Sequence, residues 1–150
     1  MTTITANSAL DSNLNLAITP RAKSRAALWT GRVLSGLGVL FMLFDGGAKV
    51  FDLLPPEAKQ NNLGWSDQHM FTIGAISLIC TALYLIPRTA VIGAILLTGY
   101  FGGAIATHVR VDNPLFSHTL FPVYIAAFFW VGLWLRDERV RAIFAPRKSA

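Results

Sequence analysis

The sequence has a single cysteine, Cys80, which lies in the middle of an apolar segment. One cysteine cannot form an intramolecular disulfide, and the chain has no C-x-x-C pair or cysteine–histidine cluster for a metal or an iron–sulfur centre. The three histidines, His69, His108 and His118, have no Glu or Cys at ligand spacing. We therefore expect neither thiol–disulfide chemistry within the chain nor a metal site.

Charge is also scarce: 14% of the 150 residues are charged, whereas 53% are hydrophobic. A soluble domain of this length needs many more polar residues to cover its surface. The net charge of +5 falls at the chain ends and between apolar segments, and does not form the basic stripe that nucleic-acid binding requires. A glycine loop for phosphate and a Ser–His–Asp order are missing too. No nucleic-acid partner and no catalytic residue are predicted.

Four long apolar segments follow a polar N-terminal stretch. Residues 1–25 lack a basic residue before Arg21 and a compact apolar stretch after Met1, so they predict a disordered cytoplasmic tail, not a secretory signal peptide. The apolar segments cover about 29–51, 70–86, 89–107 and 119–135, and each is long enough for a helix to cross a bilayer core. The sequence therefore predicts an all-α integral membrane protein, a four-helix transmembrane bundle over residues 26–145, with the lipid bilayer as its first partner.

The distribution of Lys and Arg predicts the orientation. Ten basic residues lie before or at the start of the first segment, between the second and third, or after the fourth. The remaining three, Lys49, Lys59 and Arg110, lie at the other side. Because basic residues concentrate on the cytoplasmic side of membrane proteins, both termini are predicted to be cytoplasmic, N-in and C-in.

Small and polar residues recur at helical spacing on three of the predicted helices, and small residues let membrane helices approach closely. The first helix has Gly31, Ser35, Gly38, Met42, Asp45 and Lys49; the second has Gly74, Ser77, Thr81 and Tyr84; the third has Gly99, Gly103 and Thr107 beside Thr98, Gly102 and Ala106. These stripes predict the faces that point into the bundle. For Gly99-x-x-x-Gly103 a dimer face is the alternative to packing within the chain.

Polar residues gather where the first and third helices leave the predicted outer face and the fourth enters it. Asp45 and Lys49 lie four residues apart and can pair along one helix face. In one interpretation Lys49 reaches the outer interface and Asp45 neutralises it; in the other the pair contacts an ion, a proton or a ligand. The candidate ligand-binding residues at this end are Asp45, Lys49, Tyr100, Thr107, His108, Arg110 and His118.

Longer stretches of the sequence carry a family resemblance. The segments FMLFDGGAKVF, LYLIPRTAVIGAILLTGYFGGAIATHVRV, NPLFSHTLFPVY and GLWLRDERVRAIF resemble the DoxX-like family of four-helix bacterial membrane proteins, from about Gly31 to Arg147. The resemblance implies a multi-pass protein of the bacterial inner membrane. The family takes its name from a membrane subunit of a thiosulfate:quinone oxidoreductase, and most members have no established activity. Where relatives often have Gly-x-x-Glu-Leu in the second helix, this chain has Gly74, Ser77 and Leu78.

Together these features favour a non-catalytic accessory subunit of a membrane redox system. It would hold a quinone or another lipophilic small molecule near the outer leaflet, with Lys49 and His108 donating hydrogen bonds to a carbonyl group and Asp45 setting the charge of Lys49. A partner redox protein would supply the electrons, because the chain has no ligands for an iron–sulfur centre. The alternatives are a small transporter that works as a homo-oligomer, and a structural or assembly factor that binds other membrane proteins.

Overall fold

The computed structural model describes residues 24–54 and 64–144. The helices are α1 (Arg25–Val50), α2 (Asp67–Leu85), α3 (Ala90–Arg110), a π-helical turn (Leu115–Thr119), α4 (Phe121–Arg136) and α5 (Glu138–Phe144). Their order and positions match the four predicted spans, with one short helix added after the fourth. Of the predicted tail at residues 1–25, residues 1–23 lie outside the described residues, whereas Ser24 caps α1 and Arg25 begins it.

Capping groups explain why several helix ends differ from the predicted ones. The first helix begins at Arg25 instead of near Trp29, because the Ser24 side chain accepts a hydrogen bond from the Ala27 amide at 3.1 Å. Ser66 does the same for α2, accepting from the His69 amide at 3.4 Å. Helical structure before α4 starts at Leu115, where the π-helical turn follows Pro114. Polar capping groups thus extend the helices beyond the apolar residues from which the spans were predicted.

The four long helices form a square bundle. Helix α1 packs against α2 and α4, and α3 packs against the same two helices, so α1 and α3 lie diagonally. The start of α1 lies beside the last turn of α4, and the short turn between α2 and α3 joins the same end. We call this end of the bundle, with α5, the terminal end. The opposite end, where α1 finishes and α2 begins, is called the loop end.

Glycines set the close helix contacts. A Cβ placed on Gly31 would come within 2.9 Å of the Gly132 carbonyl oxygen, so α1 and α4 touch backbone to backbone. A Cβ on Gly74 would lie 2.9 Å from the Gly46 carbonyl oxygen, which fixes the α1–α2 contact near the loop end. At Gly93 of α3 the clash would be with the backbone nitrogen of Tyr84. Each of these contacts is possible only because glycine has no side chain, as expected for packing between membrane helices.

Tyr84 links three helices in the bundle core. Its hydroxyl donates to the Phe129 carbonyl oxygen of α4 at 2.9 Å and lies 2.8 Å from the Ser35 Oγ of α1. Its ring meets the Phe129 ring edge to face, with 4.7 Å between centroids. The Arg136 guanidinium of α4 lies over the Tyr84 ring, 4.8 Å from its centre. The Tyr84 hydroxyl, a polar group in the apolar core, therefore has hydrogen-bond partners on two neighbouring helices.

The outer surface of the bundle is apolar. No more than a third of each of the four spans is buried inside the protein. Large apolar side chains such as Leu40, Phe44, Ile79 and Ile92 are exposed on three of the helices. A soluble protein rarely exposes contiguous apolar surface on this scale. Helices α1, α2 and α3, and the π-helical turn together with α4 (Leu115–Arg136), are long and apolar enough to cross a membrane, which confirms the predicted all-α bundle of four candidate transmembrane helices.

Two of the three predicted inward stripes are correct and one is wrong. Gly31, Ser35, Gly38 and Met42 of α1 are buried, as is the whole stripe on α2. On α3, however, Gly99, Gly102 and Gly103 are exposed, and a Cβ on any of them would meet nothing within 4 Å. The buried face of α3 consists of Ala90, Gly93, Ala94, Leu97 and Phe101. At about 100° per residue this face is roughly opposite to the glycines, because α2 and α4 offer pockets for Leu97 and Phe101 that small residues would leave empty.

Helix α5 folds back under the terminal end. Val140 is 1% exposed, and Arg139 Nη2 donates to the Pro87 carbonyl oxygen in the α2–α3 turn at 2.6 Å. Asp137 holds Arg139 in place through a bond of 2.9 Å between Oδ2 and Nη2. This hydrogen bond and the Asp137 charge raise the pKa of the Arg139 guanidinium, so it stays charged. Arg139 thus ties the C-terminal part of the chain to the turn between α2 and α3.

Candidate ligand site at the loop end

An ion pair on α1 is the centre of the polar cluster at the loop end. Lys49 Nζ donates to Asp45 Oδ2, as the four-residue spacing predicts. The Lys49 side chain is 16% exposed and that of Asp45 is 31% exposed, so both lie partly inside the bundle. The pair is about 8 Å or less from the end of α1, at 1.5 Å per residue. At this depth each charge depends on the other, because hydrocarbon solvates neither of them.

The glycine contact between α1 and α2 brings Ser77 to this pair. A Cβ on Gly46 would come 2.5 Å from Ser77 Oγ, and a Cβ on Gly74 would come 2.8 Å from the Lys49 Cβ. Ser77 is fully buried and donates to the Gly74 carbonyl oxygen at 2.8 Å. Two residues without side chains therefore bring the Lys49 Cβ against α2 and place the Ser77 hydroxyl against Gly46, the residue after Asp45.

Tyr100 reaches the same cluster from α3. Its side chain is half-buried, and its hydroxyl lies near the Ser77 side chain and within reach of the Asp45 charge. Its ring lies edge to face against Phe101, with 5.7 Å between centroids, and Phe101 is buried in the core. The Asp45–Lys49 pair of α1 and the Tyr100 hydroxyl of the diagonal helix α3 thus both lie near Ser77 of α2. We call Asp45, Lys49, Ser77 and Tyr100 the ion-pair cluster.

A second polar group, the histidine cluster, joins α3 to the π-helical turn and consists of His108, Asn113, Ser117 and His118. The His108 and His118 rings are 6.1 Å apart between centroids. Asn113 Nδ2 donates to His108 Nδ1 at 2.9 Å, and His118 Nδ1 is 2.8 Å from Ser117 Oγ. Because the Asn113 amide occupies Nδ1 of His108, the proton of the neutral ring is on Nε2.

The remaining two candidate residues have other partners. The Thr107 hydroxyl donates to the Gly103 carbonyl oxygen of its own helix at 2.9 Å. The Arg110 guanidinium lies over the Trp65 ring, 5.6 Å from its centre, and so connects the end of α3 to the segment before α2. These two contacts stabilise α3 itself and its connection to the segment before α2. The seven predicted residues therefore divide between an ion-pair cluster, a histidine cluster and these local contacts.

Sequence reasoning missed the contributions of Ser77 and Asn113 to these clusters. Ser77 is on the predicted inward stripe of α2, so the sequence did indicate that it faces the bundle. Asn113 precedes Pro114 in the connection after α3, where no helical spacing indicates which way a side chain points. Its bond to His108 depends on the chain reversing after Val111, where the Asp112 backbone has a positive φ of 52°. No periodicity predicts such a reversal.

The clusters suit hydrogen-bonding ligands better than metals. Within residues 24–54 and 64–144, no three His, Cys, Asp or Glu side chains come together as potential metal ligands. The ion-pair cluster instead offers the Lys49 ammonium and the Tyr100 hydroxyl as donors and the Asp45 carboxylate as acceptor, whereas the Ser77 hydroxyl already donates to the Gly74 carbonyl oxygen. Donors of this kind in an apolar environment bind carbonyl or phenolic oxygens strongly, because water does not compete.

The comparison with known protein families gives one match. The sequence profile of the DoxX-like family matches residues 33–132, from α1 to near the end of α4. The matched region contains both the ion-pair cluster and the histidine cluster. No curated protein and no solved structure matches the chain significantly.

Proposed function

Because the chain belongs to the DoxX-like family of membrane proteins, we propose that it is a non-catalytic accessory subunit of a membrane redox system. In this proposal it binds a quinone, or a similar lipophilic carbonyl compound, at the loop end. The observation that carries the proposal is the ion-pair cluster, a set of charged and hydroxyl groups held partly inside an otherwise apolar bundle. Membrane proteins rarely keep charges there without a functional reason.

The chemistry of the ion-pair cluster fits a quinone head group. Lys49 has three donor hydrogens, and Asp45 engages only one of them, so the ammonium can also donate to a carbonyl oxygen. The Tyr100 hydroxyl is a second donor from the diagonal helix. Asp45 offsets the charge of Lys49 and fixes the direction of its side chain. His108, with its proton on Nε2, adds a third donor at the same end of the bundle.

The supply of electrons follows from the composition of the chain. A protein with one cysteine and no metal-ligand spacing has no iron–sulfur site of its own. In the proposed role, a partner redox protein therefore reduces the quinone, and this chain positions the head group. The partner would dock at the loop end, where the head group meets the aqueous phase.

Location and orientation belong to the same proposal. We place the protein in the inner membrane of a bacterium with both termini in the cytoplasm, because the terminal end has the larger share of arginines. The test is cysteine labelling in intact cells, with Cys80→Ala as the background. Ser24→Cys should be protected from an impermeant maleimide and Asp112→Cys should be labelled; the opposite pattern would reverse the orientation.

The function is tested by identifying what the protein carries. The protein is extracted gently from its own membrane, its mass is measured by native mass spectrometry, and its bound lipids are separated by chromatography. A stoichiometric quinone is expected in the unaltered protein and in Tyr124→Phe, whose hydroxyl is at the exposed surface. It should be lost from Tyr100→Phe combined with Lys49→Met. Protein with bulk phospholipid alone would refute the quinone role.

One observation favours a second candidate function, assembly with other membrane helices. The α3 face with Gly99, Gly102 and Gly103 is open in this chain, and such faces accept a partner helix closely. An assembly factor or an oligomeric transporter would use it. Gly103→Leu should then release the partner or break the oligomer in nanodiscs while leaving the ion-pair cluster intact. A monomer in nanodiscs, unchanged by Gly103→Leu, counts against both.

A further inference from the structure

The terminal end of the bundle concentrates positive charge from three separate parts of the chain. Among the described residues it contains six arginines and two carboxylates. The arginines are Arg25 and Arg32 of α1, Arg88 of the α2–α3 turn, Arg136 of α4, and Arg139 and Arg141 of α5. The loop end has the opposite balance, since its four aspartates exceed its one lysine and one arginine in the described residues. The bundle is therefore strongly polarised along its axis.

Local pairing involves the arginines of α5, and the exposed arginines lie elsewhere on this end. Asp137 pairs with Arg139 at 2.9 Å and Glu138 pairs with Arg141 at 3.7 Å. Arg25, Arg32 and Arg88 have exposed side chains. The two carboxylates thus act within α5 and its junction with α4, and the arginines of α1 and of the turn face the surroundings.

Packing brings these arginines to one rim. Arg139 Nη2 binds the Pro87 carbonyl oxygen, so the neighbouring Arg88 lies beside α5. A Cβ on Gly31 would be 3.3 Å from the Arg136 nitrogen, so the neighbouring Arg32 lies beside the end of α4. The rim therefore results from the fold, because residues 32, 88 and 136 are far apart in the sequence.

Aromatic side chains on the same rim indicate the depth at which it lies. Trp29 is 64% exposed and Trp134 is 40% exposed, and the Arg32 guanidinium is 5.8 Å from the centre of the Trp29 ring. Exposed tryptophans at the end of an apolar span settle at the level of the lipid head groups. The arginines beside them are thus at the depth of lipid phosphates.

From this arrangement we infer that the terminal end binds the phosphate groups of anionic phospholipids, with Arg25, Arg32 and Arg88 as the ligands. Charge complementarity identifies the occupant: an arginine rim at head-group depth attracts lipids with net negative charge over zwitterionic ones. Arginine forms bidentate hydrogen bonds to phosphate oxygens, which adds geometric preference to the attraction. The role of Arg139 is to hold α5 against the turn, which keeps the rim together. This inference is independent of the proposed quinone role.

The test compares lipid classes on the full-length protein. Purified protein in detergent is titrated with phosphatidylglycerol or with phosphatidylcholine of the same acyl chains, and bound lipid is counted by native mass spectrometry. Phosphatidylglycerol should bind more tightly. Arg88→Gln should lower that preference about five-fold, which corresponds to about 1 kcal/mol per charge at the membrane surface. Lys59→Gln, which removes one charge from the sequence between α1 and α2, is the matched control and should not change it.

Two further variants distinguish phosphate binding by these three arginines from a general effect of net charge. Changing Arg25, Arg32 and Arg88 together to Gln should remove most of the preference, and changing the three to Lys should restore part of it, because charge remains and bidentate geometry is lost. Equal binding of the two lipids by the unaltered protein would overturn the inference. So would an equal loss in Lys59→Gln and Arg88→Gln, since net charge alone would then explain the effect. The single Arg88→Gln variant keeps the test decisive if the triple Gln variant does not fold.

Discussion

The hydroxyl of Tyr84 donates to the backbone carbonyl oxygen of Phe129, 2.9 Å away on a neighbouring helix. The same hydroxyl lies 2.8 Å from Ser35 Oγ, so one side chain of α2 connects α1 and α4. Side-chain hydrogen bonds between membrane helices contribute about 0.6 kcal/mol on average and up to about 1.7. Tyr84→Phe, which removes both bonds and keeps the ring, should lower the free energy of unfolding by about 1–2 kcal/mol.

The measurement is reversible unfolding of the protein in mixed micelles, with Tyr124→Phe as the control. The Tyr124 side chain is exposed, and its hydroxyl makes a single long hydrogen bond of 3.4 Å to the Phe116 carbonyl oxygen. Its removal should change stability by less than about 0.5 kcal/mol. If the two phenylalanine variants are equally stable, the Tyr84 hydroxyl does not join the helices.

A buried and an exposed glycine of α3 should respond differently to the same substitution. Gly93→Ala places a methyl group against the Tyr84 backbone, where neither helix can give way without moving, and should cost about 1–3 kcal/mol. Gly103→Ala fills open space and should be neutral or slightly stabilising, since Ala is the better helix former. Thermal unfolding in detergent compares the two. A cost at Gly103 equal to that at Gly93 would contradict the observed rotation of α3.

The ion pair should show strong coupling in a double-mutant cycle. Asp45→Asn or Lys49→Met alone leaves an unpaired charge partly inside the bundle, at a cost of about 2.5–3.5 kcal/mol, which exposure reduces. The double variant has no charge to bury and should be more stable than either single variant. The cycle is measured by unfolding in mixed micelles. Additive effects of the two substitutions would show that water at the interface screens both charges.

Arg139 should govern the attachment of α5. Arg139→Ala removes the bond to the Pro87 carbonyl oxygen and the pair with Asp137, so amide hydrogen exchange should rise in residues 138–144 and in the α2–α3 turn. Arg141→Ala loses only a 3.7 Å pair with Glu138 and is the control. If exchange rises equally in both variants, α5 is held by Val140 and not by Arg139.

The fold could be predicted because the bilayer limits the choices. Continuous apolar stretches of this length have to become helices in lipid, and the short connection at Pro87 and Arg88 makes α2 and α3 neighbours. Small residues on α1 and α2 also indicated the buried faces correctly. The rotation of α3 was not predictable in this way. In lipid a small residue can face either a neighbour or the acyl chains, and only the positions of α2 and α4 decide between them.

The candidate site was predictable in part for the same reason. Asp45 and Lys49 belong to one helix, so their spacing alone predicts their pairing. The proximity of Tyr100 to Ser77 and Asp45 depends on how closely α1 approaches α2 at Gly46 and Gly74. That distance is a property of the packed bundle. Sequence spacing also could not predict that the seven residues divide between two clusters and local contacts, because this division depends on the chain reversal at Asp112.

The most direct test of the proposed function is the affinity of the purified protein in nanodiscs for a short-chain quinone, measured by thermal shift. The unaltered protein and Tyr124→Phe should bind it equally. Tyr100→Phe should bind about five-fold more weakly, as expected for the loss of about 1 kcal/mol from one hydrogen bond, and the neutral pair Asp45→Asn with Lys49→Met should show no shift. A shift of the same size in all four proteins, or none in the unaltered protein, would contradict a quinone site in the ion-pair cluster.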